Sequence, residues 1–223
     1  MIPGIKFSAR QLFIALILAG PLLFSLGDRA QAEDFGYWNE FVLKHKIDEN
    51  LSVHFKSEEW FLGDVSRLGL YNFTSGLTFH ESKYFDLEFN YRYQKLKLFT
   101  AWTEENRFEI IPHLKADLFG FQFALRNRLE FRSIDGNDSL RLRERITIKK
   151  DFKLNQMAFD VYISNEFFYD TNVDDYNQNR AKAGIIKEIF PGVKMGLYYM
   201  YWTLQAKTLY EANVIGTTFT ISF

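Results

Sequence analysis

Apolar and polar residues alternate along most of this chain, and this alternation limits what the chain can fold into more than any other feature. From Phe85 to Gln94, aromatic and aliphatic residues take every second position, and charged or amide residues take the positions between them. The same pattern recurs over 121–132, 140–149 and 157–169. A period of two is typical of a β-strand with one apolar and one polar face. We therefore predict long, two-faced strands.

Weaker alternation fills the rest of the chain after its N-terminal segment. We predict further strands near 36–47, 51–61, 68–80, 103–116, 179–189, 193–203 and 209–223. A tilted strand needs about 9–11 residues to cross a bilayer, whereas strands of soluble proteins average about 5–6 residues. The connections alternate between tight turns and more polar, often longer loops, which is typical of outer-membrane barrels.

The composition agrees with strands that carry two different faces. Aromatic residues make up 18% of the chain and charged residues 25%, and both fit if they alternate. Backbone amides in lipid must all be paired, and only a closed sheet pairs every strand. We predict an all-β fold, a transmembrane antiparallel up-and-down β-barrel of ten to twelve strands. The alternative fold is a soluble sandwich that buries its aromatic faces against each other.

The N-terminus has the layout of a secretory signal peptide. Two basic residues precede an apolar run from Leu12 to Leu26, and Ala30-Gln31-Ala32 supplies the small residues of a cleavage site. We predict a cleaved signal peptide at 1–32 and an outer-membrane β-barrel at 33–223. An uncleaved anchor helix is the alternative, although the apolar run is short for a membrane span. Export would place the protein in the bacterial outer membrane.

Charge and cysteine content exclude several classes of protein. The chain has 27 Lys and Arg against 28 Asp and Glu, and removal of 1–32 leaves 24 against 27. This balance argues against a nucleic-acid partner, which would require a basic surface. The absence of cysteine fits an oxidising compartment and excludes a disulfide framework or thiolate metal site. We predict no cofactor and no metal.

The C-terminal strand has the most specific local pattern. Ile215, Phe219, Ile221 and Phe223 lie on one face, and the last residue is aromatic. This pattern resembles the terminal signal that outer-membrane barrels present to the barrel assembly machinery. The predicted partners are therefore outer-membrane lipid and this machinery, and the barrel is expected to be a monomer.

The number of predicted strands raises a problem of parity. Eleven segments alternate, but single-chain bacterial barrels usually have an even number of strands. If Phe223 lies in the periplasm, the segment 36–47 would run in the wrong direction. We expect either ten strands, with this segment in or near the lumen, or twelve strands, with one not recognised. A barrel of this size is filled by side chains or leaves a narrow channel.

The polar faces must point into the lumen if the aromatic faces meet lipid, and they carry many arginines. A tight turn at Asp117-Leu118 would place Glu109 opposite Arg126 and Arg107 opposite Arg128. The predicted lumenal residues are Arg107, Glu109, Arg126, Arg128, Glu130, Arg132, Arg141, Arg143, Arg145 and Asp160.

The next hairpins extend this predicted cluster. Glu130 is expected to reach Arg141 or Arg143, and Arg145 is expected to lie near Asp160. One hypothesis is a salt-bridge network that fills a closed, structural barrel without transport. The other is a narrow passive channel for small solutes, which would prefer anions because the arginines outnumber the nearby carboxylates.

A third hypothesis is a lipid-modifying enzyme of the outer membrane, which would need a serine with a histidine base. Ser52 and His54 share a strand face, but their predicted place near the periplasmic end is far from outer-leaflet lipid. We predict no catalytic residue and expect that the protein is not an enzyme. The histidines, at 45, 54, 80 and 113, do not have the spacing of a metal site.

Aromatic residues near the predicted strand ends are expected to form interfacial girdles. This group is Trp60, Tyr84, Tyr93, Trp102, Tyr169 and Tyr201. A surface that stacks sugars is the alternative for those that face inward, and Tyr162, Tyr198 and Trp202 are its candidates.

Four short motifs resemble a known family. The arginine-rich stretches Ala124–Arg132 and Leu140–Arg145, the opening Tyr37–Phe41 and the triplet Tyr91–Tyr93 look like the uncharacterised outer-membrane barrels called domain of unknown function 2490. The resemblance covers nearly all of 33–223 and implies a barrel, with no known activity. The arginine tracks are also similar in kind to the oligogalacturonate-specific porins, without a shared motif.

Overall fold

The computed structural model describes residues 34–97, 101–155, 157–205 and 209–223, which form a closed barrel. Its strands are β1 (Asp34–Lys46), β2 (Leu51–Leu62), β3 (Arg67–Ser82), β4 (Phe85–Leu96), β5 (Thr103–Leu118), β6 (Phe121–Ile134), β7 (Asn137–Leu154), β8 (Met157–Asp170), β9 (Asp175–Phe190), β10 (Val193–Gln205) and β11 (Leu209–Ser222). Within the described ranges, no helix is long and apolar enough to cross a membrane.

Each strand pairs with the next one along the chain in antiparallel orientation. The barrel closes where β1 lies beside β11, and these two strands are parallel, with Asp34 beside Ala212 and Lys44 beside Ser222. We call this parallel pair the seam. The predicted all-β barrel is therefore confirmed, with one pair that departs from the antiparallel pattern.

The expectation of an even number of strands is wrong. Eleven strands form the described barrel wall, and the segment predicted at 36–47 is one of them, not a lumenal plug. An odd number can close because a parallel pair also satisfies backbone hydrogen bonds, although less favourably per residue than an antiparallel pair. In consequence, the first and last strands run in the same direction.

The two ends of the barrel differ. The turn end carries Lys46, Phe223, the last residue of β7 and the connections at 47–50, 83–84, 119–120 and 191–192. The loop end carries Asp34, the last residues of β4 and β10, and the connections at 63–66, 135–136 and 171–174. As predicted, tight and longer connections mostly alternate. The exceptions are 135–136 at the loop end, which is a two-residue turn, and 47–50 at the turn end, which has four residues.

Hydrogen bonds hold both ends of β1 in place. At the loop end, the carboxylate of Asp34 accepts from the backbone amides of Gly63 and Asp64, each at 3.0 Å, and from the hydroxyl of Tyr210. At the turn end, the amide of Lys46 donates to the carbonyl of Phe223 at 3.1 Å. Both ends of β1 are therefore tied to neighbouring strands.

The outer surface of the barrel is apolar and rich in aromatic residues. Tyr91, Phe108 and Phe131 lie side by side on three adjacent strands and are 55%, 45% and 47% exposed. On the same strands, Arg92, Arg107 and Glu130 are buried. The alternation in the sequence thus separates an apolar outer face from a polar lumen.

The lumen has two kinds of wall. Inward faces of β1, β2, β10 and β11 form a hydrophobic cluster at its loop half, which we call the aromatic wall and which includes Trp38, Trp60, Tyr198 and Trp202. The rings of Trp38 and Trp60 stack with centroids 3.6 Å apart. Tyr198 fits because Gly216 has no side chain, since a Cβ there would lie 2.0 Å from Tyr198 Cζ. The inward faces of β4 to β9 carry mostly charged residues.

The parallel seam makes a prediction about which side of a membrane each strand end reaches. Because the chain has no native cysteine, single cysteines can be labelled cleanly in intact and permeabilised cells with an impermeant maleimide. A cysteine in place of Phe35 should react from the same side of the membrane as a cysteine in place of Val65. A cysteine in place of Glu49 should react from the opposite side. An even-numbered barrel would instead place Phe35 on the same side as Glu49.

Candidate lumenal site

Five strands, β4 to β8, build a network of buried charges across the lumen. Side chains two residues apart on one strand face the same way, and neighbouring strands place further side chains within reach. The charge network, as we call it, consists of Arg92, Glu105, Arg107, Glu109, Arg128, Glu130, Arg132, Arg141, Arg143, Glu166 and Asp170.

Glu130 is the centre of the network and is fully buried. Its carboxylate accepts hydrogen bonds from Arg141 Nε at 2.6 Å, Arg143 Nη1 at 2.8 Å, Arg107 Nη1 at 3.2 Å and Arg128 Nη1 at 3.4 Å. The sequence analysis expected a contact with Arg141 or Arg143, and Glu130 contacts both. One carboxylate joins three adjacent strands through charge-assisted hydrogen bonds.

Glu109 is a second buried centre beside Glu130. Its carboxylate lies 3.2 Å from Arg128 Nη1, 3.4 Å from Arg107 Nη1 and 3.5 Å from Arg92 Nε. Because Arg107 and Arg128 contact both glutamates, the two carboxylates share their cations. This sharing offsets the repulsion between two carboxylates on directly opposite positions of β5 and β6.

Further carboxylates extend the network towards the loop end and around the lumen. Arg132 bridges Glu105 at 2.5 Å and Asp170 at 2.9 Å. Arg143 Nη2 lies 2.9 Å from Glu166. The network therefore connects β4 through β8, and its buried charges have opposite charges beside them, as the cost of desolvation requires.

The predicted register between β5 and β6 is wrong. The turn is Phe119-Gly120, two residues later than predicted, and its φ angles of 55° and 75° fit a tight hairpin turn. The partner of each β5 residue therefore lies four residues further along β6: Glu109 is opposite Glu130, and Arg107 opposite Arg132. A two-residue error in turn position preserves the faces but changes every partner.

Three predicted residues lie outside the charge network. Arg126 reaches Glu88 at 3.6 Å. The expected neighbourhood of Arg145 and Asp160 is wrong, because Arg145 lies opposite Glu166 and Asp160 pairs with Lys149 at 3.0 Å. Leu154, the last residue of β7, lies opposite Met157, the first of β8, and this pairing fixes the register of the two strands.

The sequence analysis missed Arg180, which lies among the rings of the aromatic wall. Its guanidinium carbon is 4.8–5.6 Å from the ring centroids of Phe168, Trp38, Trp60 and Trp202, within the range of cation–π contacts. When the amide oxygen of Gln178 faces this group, it accepts from Arg180 at 2.8 and 2.9 Å and from Trp202 Nε1 at 2.8 Å.

The aromatic residues were only partly predictable. Trp60 is buried in the lumen, so its predicted place in an interfacial girdle is wrong. Tyr198 and Trp202 face inward and are buried, and Tyr162 packs against the same cluster. The sequence did contain one sign of an inward-facing aromatic side chain. On β8, Phe168 follows Ser164 and Glu166 at two-residue spacing, so it lies on the same face as these polar residues.

A cavity of 220 Å³ separates the charge network from the aromatic wall. Among the described residues, nine arginines, two lysines and four carboxylates line it. Arg145, Arg180 and Lys182 are the cations of this lining with no carboxylate oxygen within 4.0 Å in the described part of the chain. The cavity is therefore bounded by positive charge on one side and by rings on the other.

The serine and histidine considered in the sequence analysis are not hydrogen-bonded to each other in the structure. Ser52 Oγ lies 2.9 Å from Nε2 of His80, on the neighbouring strand. His54 faces Glu88 instead, with 3.9 Å between Nε2 and Oε1. Among the described residues, no group of three or more His, Cys, Asp or Glu side chains is arranged to hold a metal ion.

Fold and lumen together define a β-barrel of the outer-membrane type. The structure resembles LpxR from Salmonella typhimurium, with a TM-score of 0.52 and 10% identity over 88% of this chain and 92% of LpxR. At that identity the likeness shows the fold alone. An anion-selective porin from Comamonas acidovorans aligns at a TM-score of 0.38 and 8% identity, over 75% of this chain and 56% of the porin.

The family of the chain follows from its sequence. The family model described as protein of unknown function (DUF2490) matches residues 35–212, and the chain belongs to this family. The resemblance seen in the arginine-rich stretches is thereby confirmed. No curated protein sequence matches the chain significantly.

The charge network makes a prediction about stability. Glu130→Gln removes the carboxylate that four arginines share, and the free energy of unfolding should fall by about 3–5 kcal/mol, the usual cost of breaking a buried ion pair. The measurement is urea-induced unfolding of the barrel in lipid vesicles.

The matched control is Asp160→Asn, which removes the carboxylate of a partly exposed pair with Lys149. This change should cost about 1 kcal/mol or less. Equal losses in the two variants would contradict a central role for Glu130.

Proposed function

We propose that this chain forms a narrow outer-membrane channel whose lumenal cations select small anionic solutes. The observation that carries the proposal is the set of three cations, Arg145, Arg180 and Lys182, that line the cavity without a carboxylate within 4.0 Å in the described part of the chain. A cation in a partly buried site is costly unless an anion is near it. A passing anion would supply that charge.

Unpaired hydrogen-bond donors in the same lining support this proposal. Within the described residues, the Nε groups of Arg92, Arg126, Arg128 and Arg143 and the indole N–H of Trp38 are buried and make no hydrogen bond. All five residues line the cavity. Buried donors normally find partners, and carboxylate or phosphate oxygens of a solute would accept from several at once.

The two walls suggest the shape of the solute. Carboxylate or phosphate groups would face the arginines of β6 and β7, and an apolar or ring-shaped part would face Trp38 and Trp202 across the cavity. The cavity volume of 220 Å³ limits the solute to a small molecule. Arg180 lies against the rings of Trp38 and Trp202 and would bind an anionic group beside the aromatic wall.

A closed structural barrel is the second candidate. The observation that favours it is the complete burial of Glu109 and Glu130 in the charge network, which fills much of the lumen beside β5, β6 and β7. In that case the arginines hold the barrel together, and ions do not pass. Electrical conductance distinguishes the two candidates directly.

We further propose that the protein reaches the outer membrane through a cleaved signal peptide at 1–32, which lies outside the described residues. The barrel assembly machinery would recognise the terminal strand, and the exposed ring of Phe223 at the turn end is available for that contact. Export and membrane insertion would then orient the turn end towards the periplasm.

Single-channel conductance in a planar bilayer under a salt gradient tests the proposed selectivity. The wild-type channel should prefer anions, and Lys182→Gln should lower the anion-to-cation permeability ratio by about fivefold. This factor corresponds to about 1 kcal/mol, the Coulomb energy of two unit charges about 4 Å apart in water. Arg145→Gln should act in the same direction.

The matched control is Lys187→Gln, since residue 187 lies on the outward face of the same strand, β9. This variant should leave the permeability ratio unchanged. A folded wild-type barrel that conducts no ions would rule out the channel and favour the structural barrel.

A further inference from the structure

Three side chains at the turn end of the lumen form a hydrogen-bonded chain from a hydroxyl to a carboxylate. Ser52 Oγ lies 2.9 Å from Nε2 of His80, and Nδ1 of His80 lies 3.0 Å from Oδ1 of Asp86. The residues come from the start of β2, the end of β3 and the start of β4. Register brings them together, because Ser52 is opposite Thr78 and His80 is opposite Asp86.

We propose that Ser52, His80 and Asp86 form a hydrolytic site for carboxylic esters at the turn end of the barrel. If Asp86 accepts a hydrogen bond from Nδ1–H, the Nε2 of His80 is left to accept the proton of the Ser52 hydroxyl. A serine, a histidine base and an orienting carboxylate in this order are the parts that activate a serine nucleophile on unrelated folds.

The surroundings set this serine–histidine pair apart from other polar contacts in the lumen. Lys115 Nζ holds the second oxygen of Asp86 at 2.8 Å, which fixes the carboxylate that orients His80. His113 instead bonds to Glu88, at 2.9 Å. The side chains of His80 and Asp86 are partly exposed, whereas Ser52 is buried. A small substrate would reach the hydroxyl from the lumenal side.

The neighbouring charges indicate the class of ester. Lys46 lies directly opposite Ser52 on β1, and Lys44 lies opposite His54. These cations favour an ester that carries an anionic group close to its carbonyl. Lys46 would also stabilise the negative charge that develops on the carbonyl oxygen during attack.

The reaction needs only water as a second reactant. The Ser52 oxygen bonds to the carbonyl carbon while its proton passes to Nε2 of His80. The ester C–O bond then breaks, and the alcohol leaves with the proton from His80. Water attacks the acyl-serine, gives a proton to His80, and releases the carboxylic acid as Ser52 regains its proton.

Labelling with a small fluorophosphonate probe, followed by peptide mapping with mass spectrometry, tests the proposal. The protein is the full chain, expressed with its N-terminal segment and purified from membranes in detergent. The wild type should carry the adduct on Ser52 and should hydrolyse p-nitrophenyl acetate. Ser52→Ala should abolish both signals. His80→Ala should slow labelling by on the order of 100-fold, the lower range for loss of a general base.

Two controls separate the site from general effects on the barrel. Ser57→Ala changes a serine on the outward face of the same strand, and His54→Ala removes a lumenal histidine that faces Glu88. Both should label as the wild type does. Folding of every variant is checked by its heat-dependent mobility on a gel. A folded wild type without an adduct on Ser52, or labelling that is unchanged in His80→Ala, would overturn the proposal.

Discussion

Closure of the backbone hydrogen-bond ladder is the constraint on which the rest of this structure depends. A strand with an unpaired edge cannot remain in lipid, so the first strand must find the last one. Here it does so in parallel, from Asp34 beside Ala212 to Lys44 beside Ser222. Closure fixes the circumference of the wall, and the circumference determines how far the side chains of β5 and β6 lie from the aromatic wall.

Much of the fold could be predicted from residue order, because a period of two specifies both a strand and its two faces. The segments around Phe85–Gln94 and 121–132 show this clearly. Whether the number of strands is even or odd could not be predicted in this way. Alternation does not reveal whether the first strand pairs with the last in parallel or antiparallel orientation. That information lies in the pairing of β1 with β11, whose residues are about 180 positions apart.

The candidate site was predictable in its composition but not in its partners. Alternation placed Arg107, Arg128 and Glu130 in the lumen, but their contacts depend on where each hairpin turns. Phe119 adopts a positive φ in the turn, which is uncommon for a residue with a side chain. The sequence therefore did not indicate that the turn lies at Phe119. The aromatic wall could not be predicted from the sequence for another reason. Trp38 and Trp60 break the rule that apolar faces meet lipid, because one side of the lumen is itself packed like a core.

The position of Glu130 has a consequence for the order in which the barrel assembles. Its four arginine partners come from β5, β6 and β7. These are three consecutive strands, so the contacts join residues that are close in sequence. Forming them therefore costs little loop-closure entropy. The seam joins residues from opposite ends of the chain and is the contact of highest sequence separation. The charged centre can therefore form as a local unit, around which the remaining strands curl before β1 meets β11.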